Sequence, residues 1–196
     1  MAKEKITGLF FGSFNPIHSG HLIIANHMLN YTEMKEVWFV ISPQNPLKNK
    51  STLLEDLHRL ALVNVAIEDN SSFRSCNVEF HLPKPSYTIT TLTVLAEKYP
   101  ERKFVLILGA DNLQSFNKWK NYEMILSEYQ LFVYPRPGSD GGPFRDHYAV
   151  TWVDAPLMQI SSTFIRNAIK NGKSVKYLLP EKVLEYVTEM HFYKKM

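Results

Sequence analysis

The sequence predicts an α/β protein with a mostly parallel sheet and helices on both faces. Two observations carry this. Short continuous apolar runs alternate with longer stretches whose apolar residues recur at helical spacing. Strands separated by helices imply right-handed crossovers, and right-handed crossovers place successive strands parallel. At 196 residues the chain fits one domain spanning 1–196, with closing helices from about 160 to 196 packed on it.

The elements follow in order. Ile6 to Phe11 reads as a buried strand, and Leu22 to Leu29 as the helix after it. Glu36 to Ser42 is a second buried strand, followed by a Pro/Asn/Lys loop over 43–51. Thr52-Leu-Leu-Glu55 has capping-box spacing and predicts a helix whose inner face is Leu53, Leu57, Leu60 and Ala61. Phe73 to Phe80 is a weaker strand, and Ile89, Leu92 and Ala96 line a third helix. Lys103 to Leu108 is the clearest central strand. Leu126 to Tyr134 contains a further strand, and Ala149 to Val153 another. Ser161 to Lys170 and Pro180 to Met190 read as closing helices. The stretch Pro135 to His147, rich in Pro, Gly and Asp, reads as a linker or a mobile loop; the short chain after it favours the loop.

Composition narrows the class. Hydrophobic residues are 45% and charged residues 21%, the profile of a globular protein. A net charge of +3 suits an anionic small molecule and is too weak to argue for nucleic acid. The single cysteine, Cys76, rules out an internal disulfide and suits a reducing compartment. No apolar run approaches the ~20 residues that span a bilayer, and no signal-type core follows the N-terminus. A cytoplasmic protein without membrane or nucleic-acid partners is the expectation. Oligomeric state stays open, a homo-oligomer included.

The chemistry concentrates where the first strand turns into the first helix, at Gly12-Ser-Phe-Asn-Pro-Ile-His18-Ser-Gly20-His21. In an α/β sheet that turn lies at the carboxyl end of the strand, the usual ligand edge. A helix N-terminus there offers N–H groups and partial positive charge to phosphate. Each imidazole can donate hydrogen bonds, and an adjacent anion favours its protonated form. This combination suits a nucleoside triphosphate. No Gly-x-Gly-x-x-Gly follows the strand, and Gly172-Lys173-Ser174 follows a helix and lacks a P-loop's leading glycine. A His-x-x-His zinc site would need third and fourth ligands that the motif does not contain, so no protein-built metal site is expected. Late in the chain, Ile160-Ser161-Ser162-Thr163-Phe164-Ile165-Arg166 offers hydroxyls at a helix start, with Arg166 on the same face as Ser162.

These two segments together resemble the nucleotidyltransferase superfamily that carries the (H/T)xGH motif, and so imply its Rossmann-like nucleotidyltransferase fold. Within it, four further segments are similar to bacterial nicotinate mononucleotide adenylyltransferases: Pro85-Ser-Tyr87-Thr88, Leu108-Gly109-Ala-Asp111-Asn112 followed by Trp119, Val133-Tyr-Pro-Arg136-Pro-Gly138, and Tyr177-Leu-Leu-Pro180. The chain departs from that family's loop pattern at Leu47, where a histidine is common, and carries Asn15 where Asp is frequent. The resemblance implies transfer of AMP from ATP to nicotinate mononucleotide, with Mg²⁺ carried on the ATP phosphates. It implies His18, His21 and Arg166 as catalytic residues. Gly12, Ser13, Phe14, Gly20, Gly109, Asp111, Ile160, Ser161 and Ser162 would bind ATP. Asn15, Lys48, Tyr87, Thr88, Trp119 and Arg136 would bind the mononucleotide. Residue chemistry alone leaves choices open. Asp111 could hold a ribose diol or cap a helix. Trp119 could stack on a pyridine or anchor the core. Thr88 could meet a carboxylate or cap a helix. Lys48 and Arg136 could be solvated charges. The nearest alternatives are a phosphopantetheine adenylyltransferase and a nucleotide-binding regulator without turnover.

Overall fold

The structure, a computed structural model, describes residues 5–43 and 53–194. Its elements are β1 (Lys5–Gly12), α1 (Ser19–Tyr31), β2 (Glu36–Ile41), α2 (Asp56–Ile67), β3 (Phe73–Cys76), α3 (Thr88–Lys98), β4 (Arg102–Gly109), α4 (Ala110–Gln114), α5 (Tyr122–Glu128), β5 (Leu131–Tyr134), β6 (Val150–Trp152), α6 (Ser162–Lys170) and α7 (Glu181–Glu189). Single 3₁₀ turns fall at Val78–His81, Phe116–Lys118 and Gly142–Phe144. The sheet is parallel throughout, in the order β3-β2-β1-β4-β5-β6.

Alternation along the central strands builds a core on each face. Phe10, Val105 and Ile107 point to one side, against Ile24 and Met28 of α1, Leu62 and Val63 of α2, Ile165 of α6, and Val183 and Val187 of α7. Leu9, Leu106 and Leu108 point to the other, against Leu92 and Leu95 of α3, Leu113 of α4 and Ile125 of α5. Strand order reverses between β1 and β4, whose carboxyl ends Gly12 and Gly109 share one edge. That switch point is where open parallel sheets leave a crevice for ligands.

Three expectations need correction. The second helix begins at Asp56, with Glu55 as N-cap, and not at the capping-box threonine; Thr52 itself, Lys48 and the loop over 44–51 lie outside the described residues. Leu54 lies before the first helical turn, its N–H donating to Asn15 Oδ1 (3.2 Å) and its carbonyl accepting from Arg59 Nε (3.0 Å). The inner face is therefore Arg59, Leu62, Val63, Ala66 and Ile67, and Leu57 is 70% exposed. Strand β3 stops at Cys76, and the chain then turns so that Glu79 points inward. The stretch 135–147 runs as a loop from β5 to β6 of the same sheet; Ser139 Oγ donates to Gln114 Oε1 (2.8 Å), and Trp152 Nε1 donates to the Arg145 carbonyl (2.9 Å). Finally, the short helices α4 and α5 occupy a region where the sequence pattern predicts only a connection and the approach to a strand.

Candidate active site

The β1–α1 turn is shaped by two close approaches. A Cβ on Gly12 would sit 2.8 Å from the Phe14 ring, so only glycine lets that ring fold back beneath the turn. Phe14 holds φ at 44°, in the left-handed region that costs a bulky residue on the order of 1 kcal/mol or more. Its ring is buried against Phe39 (5.6 Å between centroids) and His21 (5.1 Å), so this residue shapes the site from below. A Cβ on Gly20 would lie 3.1 Å from His18 Nδ1. Gly20 is the residue that lets His18, the N-cap of α1, lie over the first helical turn.

The two imidazoles stack, with centroids 3.7 Å apart. The His18 N–H donates to His21 Nδ1 at 3.2 Å, so a neutral His21 carries its proton on Nε2. His18 is 5% exposed. Burial, aided by the positive charge of Arg136, lowers its pKa from 6.5 to about 4. Without an anion beside it the ring is neutral at pH 7 and donates one hydrogen bond, so the doubly protonated form expected from the sequence requires the ligand's charge. Its Nδ1 is buried and has no hydrogen-bond partner among the described residues.

Helix α6 returns to this same turn. Ser161 caps it, its Oγ accepting from the Phe164 N–H (3.2 Å). Ser162 Oγ donates to the Pro16 carbonyl (2.9 Å), and Arg166 Nη1 donates to the Asn15 carbonyl (2.8 Å). The two side chains expected on one helical face thus both grasp the β1–α1 turn. Asn15 does more than line the cleft. Its Oδ1 accepts from the Leu54 N–H and, at 2.7 Å, from the hydroxyl of Tyr193 in the C-terminal tail.

The far side of the cleft comes from β4, β5 and α3. A Cβ on Gly109 would come within 2.4 Å of Asp111 Oδ1. Asp111 makes no capping bond at α4; it pairs with Arg136, Nε to Oδ1 at 3.7 Å. Arg136 therefore stands at the β5 end beside Asp111 and within electrostatic reach of His18. Tyr87 is the N-cap of α3 and Thr88 its first residue, so Thr88 is not the cap. Trp119 is half-buried, tilted against Phe116 at 4.9 Å, and Lys120 Nζ lies 4.3 Å from the Tyr87 ring centroid.

The two histidines, Asn15, the start of α6 with Arg166, and Gly109, Asp111, Tyr87, Thr88, Trp119 and Arg136 line one cleft of about 460 Å³. It includes every site residue the sequence singled out except Lys48, which lies outside the described residues. Three residues that brace the site, of which Glu79 alone lines the cleft, lie outside the sequence motifs. Arg59 is fully buried and donates to the carbonyls of Ser13 (2.6 Å) and Ser42 (2.8 Å) and to Asp56 Oδ1 (2.6 Å). Glu79 and Tyr193 are the others. A lone arginine inside an apolar helical face is a readable signal for the first; nothing local signals the other two. Among the described residues no three His, Cys, Asp or Glu side chains gather as a metal cage.

The strand order, the His18-Ser-Gly-His21 turn at the β1 end and an arginine-bearing helix docked on that turn define a Rossmann-like nucleotidyltransferase. Known proteins sharpen this. The family model described as cytidylyltransferase-like matches residues 9–168. A probable nicotinate-nucleotide adenylyltransferase of Christiangramia forsetii is 52% identical over 193 residues, covering 97% of this chain and all of that one. That of Cytophaga hutchinsonii is 52% identical over 186 residues, covering 95% and 97%. The solved Plasmodium falciparum nicotinic acid mononucleotide adenylyltransferase, complexed with NaAD, superposes with a TM-score of 0.80 at 20% identity, over 96% of this chain and 97% of that one. The chain belongs to the cytidylyltransferase-like family and, within it, to the nicotinate-nucleotide adenylyltransferases.

Proposed function

We propose that the chain transfers AMP from ATP to nicotinate mononucleotide, giving nicotinate adenine dinucleotide and pyrophosphate. One observation carries the reading. A single cleft holds a histidine pair, a cation-bearing helix start and, farther along, an aromatic wall with a second helix start. The first part suits a triphosphate and the second a flat anionic ring.

The acceptor's phosphate is ionised near neutral pH, so no general base is needed. One of its oxygens attacks the α-phosphorus of ATP in line. The bond from that phosphorus to the α–β bridging oxygen breaks, and pyrophosphate leaves with the electron pair. Catalysis is placement plus stabilisation of charge moving outward. His18 and His21 donate to α- and β-phosphate oxygens. Arg166 and the start of α6, at Ser161 and Ser162, hold the outer phosphates. Gly12, Ser13 and Gly20 let the triphosphate approach the backbone, and Gly109, Asp111 and Ile160 hold the adenosine. Tyr87, Thr88 and Trp119 receive the pyridine, with Lys48, Asn15 and Arg136 on the mononucleotide side. The residues present fit a metal that arrives on ATP; Mg²⁺ bound to the phosphates would neutralise part of their charge. A cytoplasmic setting suits the single buried thiol of Cys76.

The test is pyrophosphate release from ATP with nicotinate mononucleotide, nicotinamide mononucleotide or phosphopantetheine as acceptor. The proposal predicts the highest kcat/KM with the nicotinate form. Faster release with phosphopantetheine, or tight ATP binding without release, contradicts it.

A further inference from the structure

Glu79 is a buried carboxylate that the transfer chemistry leaves unused. It is 2% exposed, and among the described residues no lysine or arginine pairs with it. A carboxylate buried without a counter-ion is costly unless its oxygens are hydrogen-bonded. Here both are. Oε2 accepts from Ser86 Oγ at 2.9 Å, and Oε1 accepts from Thr91 Oγ1 at 2.8 Å. Ser86 lies immediately before the N-cap of α3, and Thr91 lies about one turn into the helix. The carboxylate therefore fastens the approach segment to the helix it enters, close to that helix's positive end. Glu79, Ser86, Tyr87 and Thr88 all line the cleft that Trp119 also lines.

We infer that Glu79 is a positioning residue for the acceptor: through Ser86 and Thr91 it fixes the start of α3 so that Tyr87 and Thr88 meet the substituent of a flat, anionic ring lying by Trp119. This rests on the proposed reaction. It assigns Glu79 no contact with the reacting phosphates, so its removal acts on one substrate only.

Steady-state kinetics on the full chain with ATP and nicotinate mononucleotide test it. Glu79→Ala raises KM for the mononucleotide about tenfold and leaves KM for ATP within about twofold. Glu79→Gln, which keeps the shape and one acceptor oxygen, recovers part of the loss. Ser86→Ala shifts the same KM, and combined with Glu79→Ala it adds less than it does alone. A rise of both KM values together overturns the inference, as does a lowered melting temperature with neither KM changed. If Glu79→Ala does not fold, Glu79→Gln and Ser86→Ala decide the matter on the same readout. A wild-type chain that releases no pyrophosphate with nicotinate mononucleotide overturns the reaction and this inference together. An active wild type whose Glu79 variants keep the acceptor KM overturns the inference alone.

Discussion

At the amino end of the parallel sheet, Glu36 accepts hydrogen bonds from Lys5, from Arg102 and, at 3.1 Å, from Trp38 Nε1. Arg74 and Arg102 lie 4.5 and 5.0 Å from the centroid of the buried Trp38 ring. At the carboxyl end, about one strand length away, a buried imidazole nitrogen lacks a hydrogen-bond partner among the described residues, Phe14 is held at positive φ, and Arg136 and Arg166 face a cleft. The amino end matches its charges internally: even Arg102 Nε, its one buried side-chain atom without a hydrogen bond among the described residues, lies 3.4 Å from Glu101 Oε1. The other turns a buried imidazole and two partly paired guanidinium groups toward a cleft suited to something anionic. Ordinary folding physics explains the first arrangement, whereas the second makes sense only with a ligand in place.

Breaking the carboxyl end should cost turnover and leave stability. His18→Ala is expected to lower kcat by a factor on the order of 10²–10³, as for loss of one transition-state donor, with an unchanged circular dichroism spectrum. Acid should act on the same residue. The folded pKa of about 4 lies below the ordinary 6.5, so the unfolded chain takes up a proton first. Stability therefore falls as pH drops from about 6.5 to about 4, by about 3 kcal/mol from this group. Denaturant unfolding across that range should show the loss in the wild type and a shallower one in His18→Ala.

Breaking the amino end should do the reverse. Burial alone would raise the Glu36 pKa, but its Lys5, Trp38 and Arg102 donors outweigh that and lower it, so its contribution is present at neutral pH and lost in acid. Glu36→Ala is expected to cost about 1–3 kcal/mol of unfolding free energy and to leave kcat within about twofold. The smallest effect belongs to the ring platform. Trp119→Ala should weaken mononucleotide binding by about 1 kcal/mol and ATP binding by less, measured by calorimetry. Equal weakening of both would remove Trp119 from the acceptor side.

The parts of this molecule legible in its sequence share a cause. β1, β2 and β4 are covered on both faces and so read as unbroken apolar runs. The His18–His21 and Ser161–Arg166 segments carry their chemistry in adjacent residues. What stayed hidden depends on partners distant in the chain. Arg59 reaches Ser13, and Tyr193 reaches Asn15, across separations no local pattern encodes. The apolar residues of α2 support two faces, and the buried one includes Arg59, whose Nε bonds to the Leu54 carbonyl ahead of the helix. The helices α4 and α5 span too few turns for a period to show.

The central claim is that the front and back of the chain grip one nucleotide. A crystal structure with a non-hydrolysable ATP analogue tests it most directly. The account predicts the imidazoles of His18 and His21 and the guanidinium of Arg166 within about 3.2 Å of oxygens of a single triphosphate. A triphosphate bound away from all three, or the adenine base stacked where those rings stand, would contradict it.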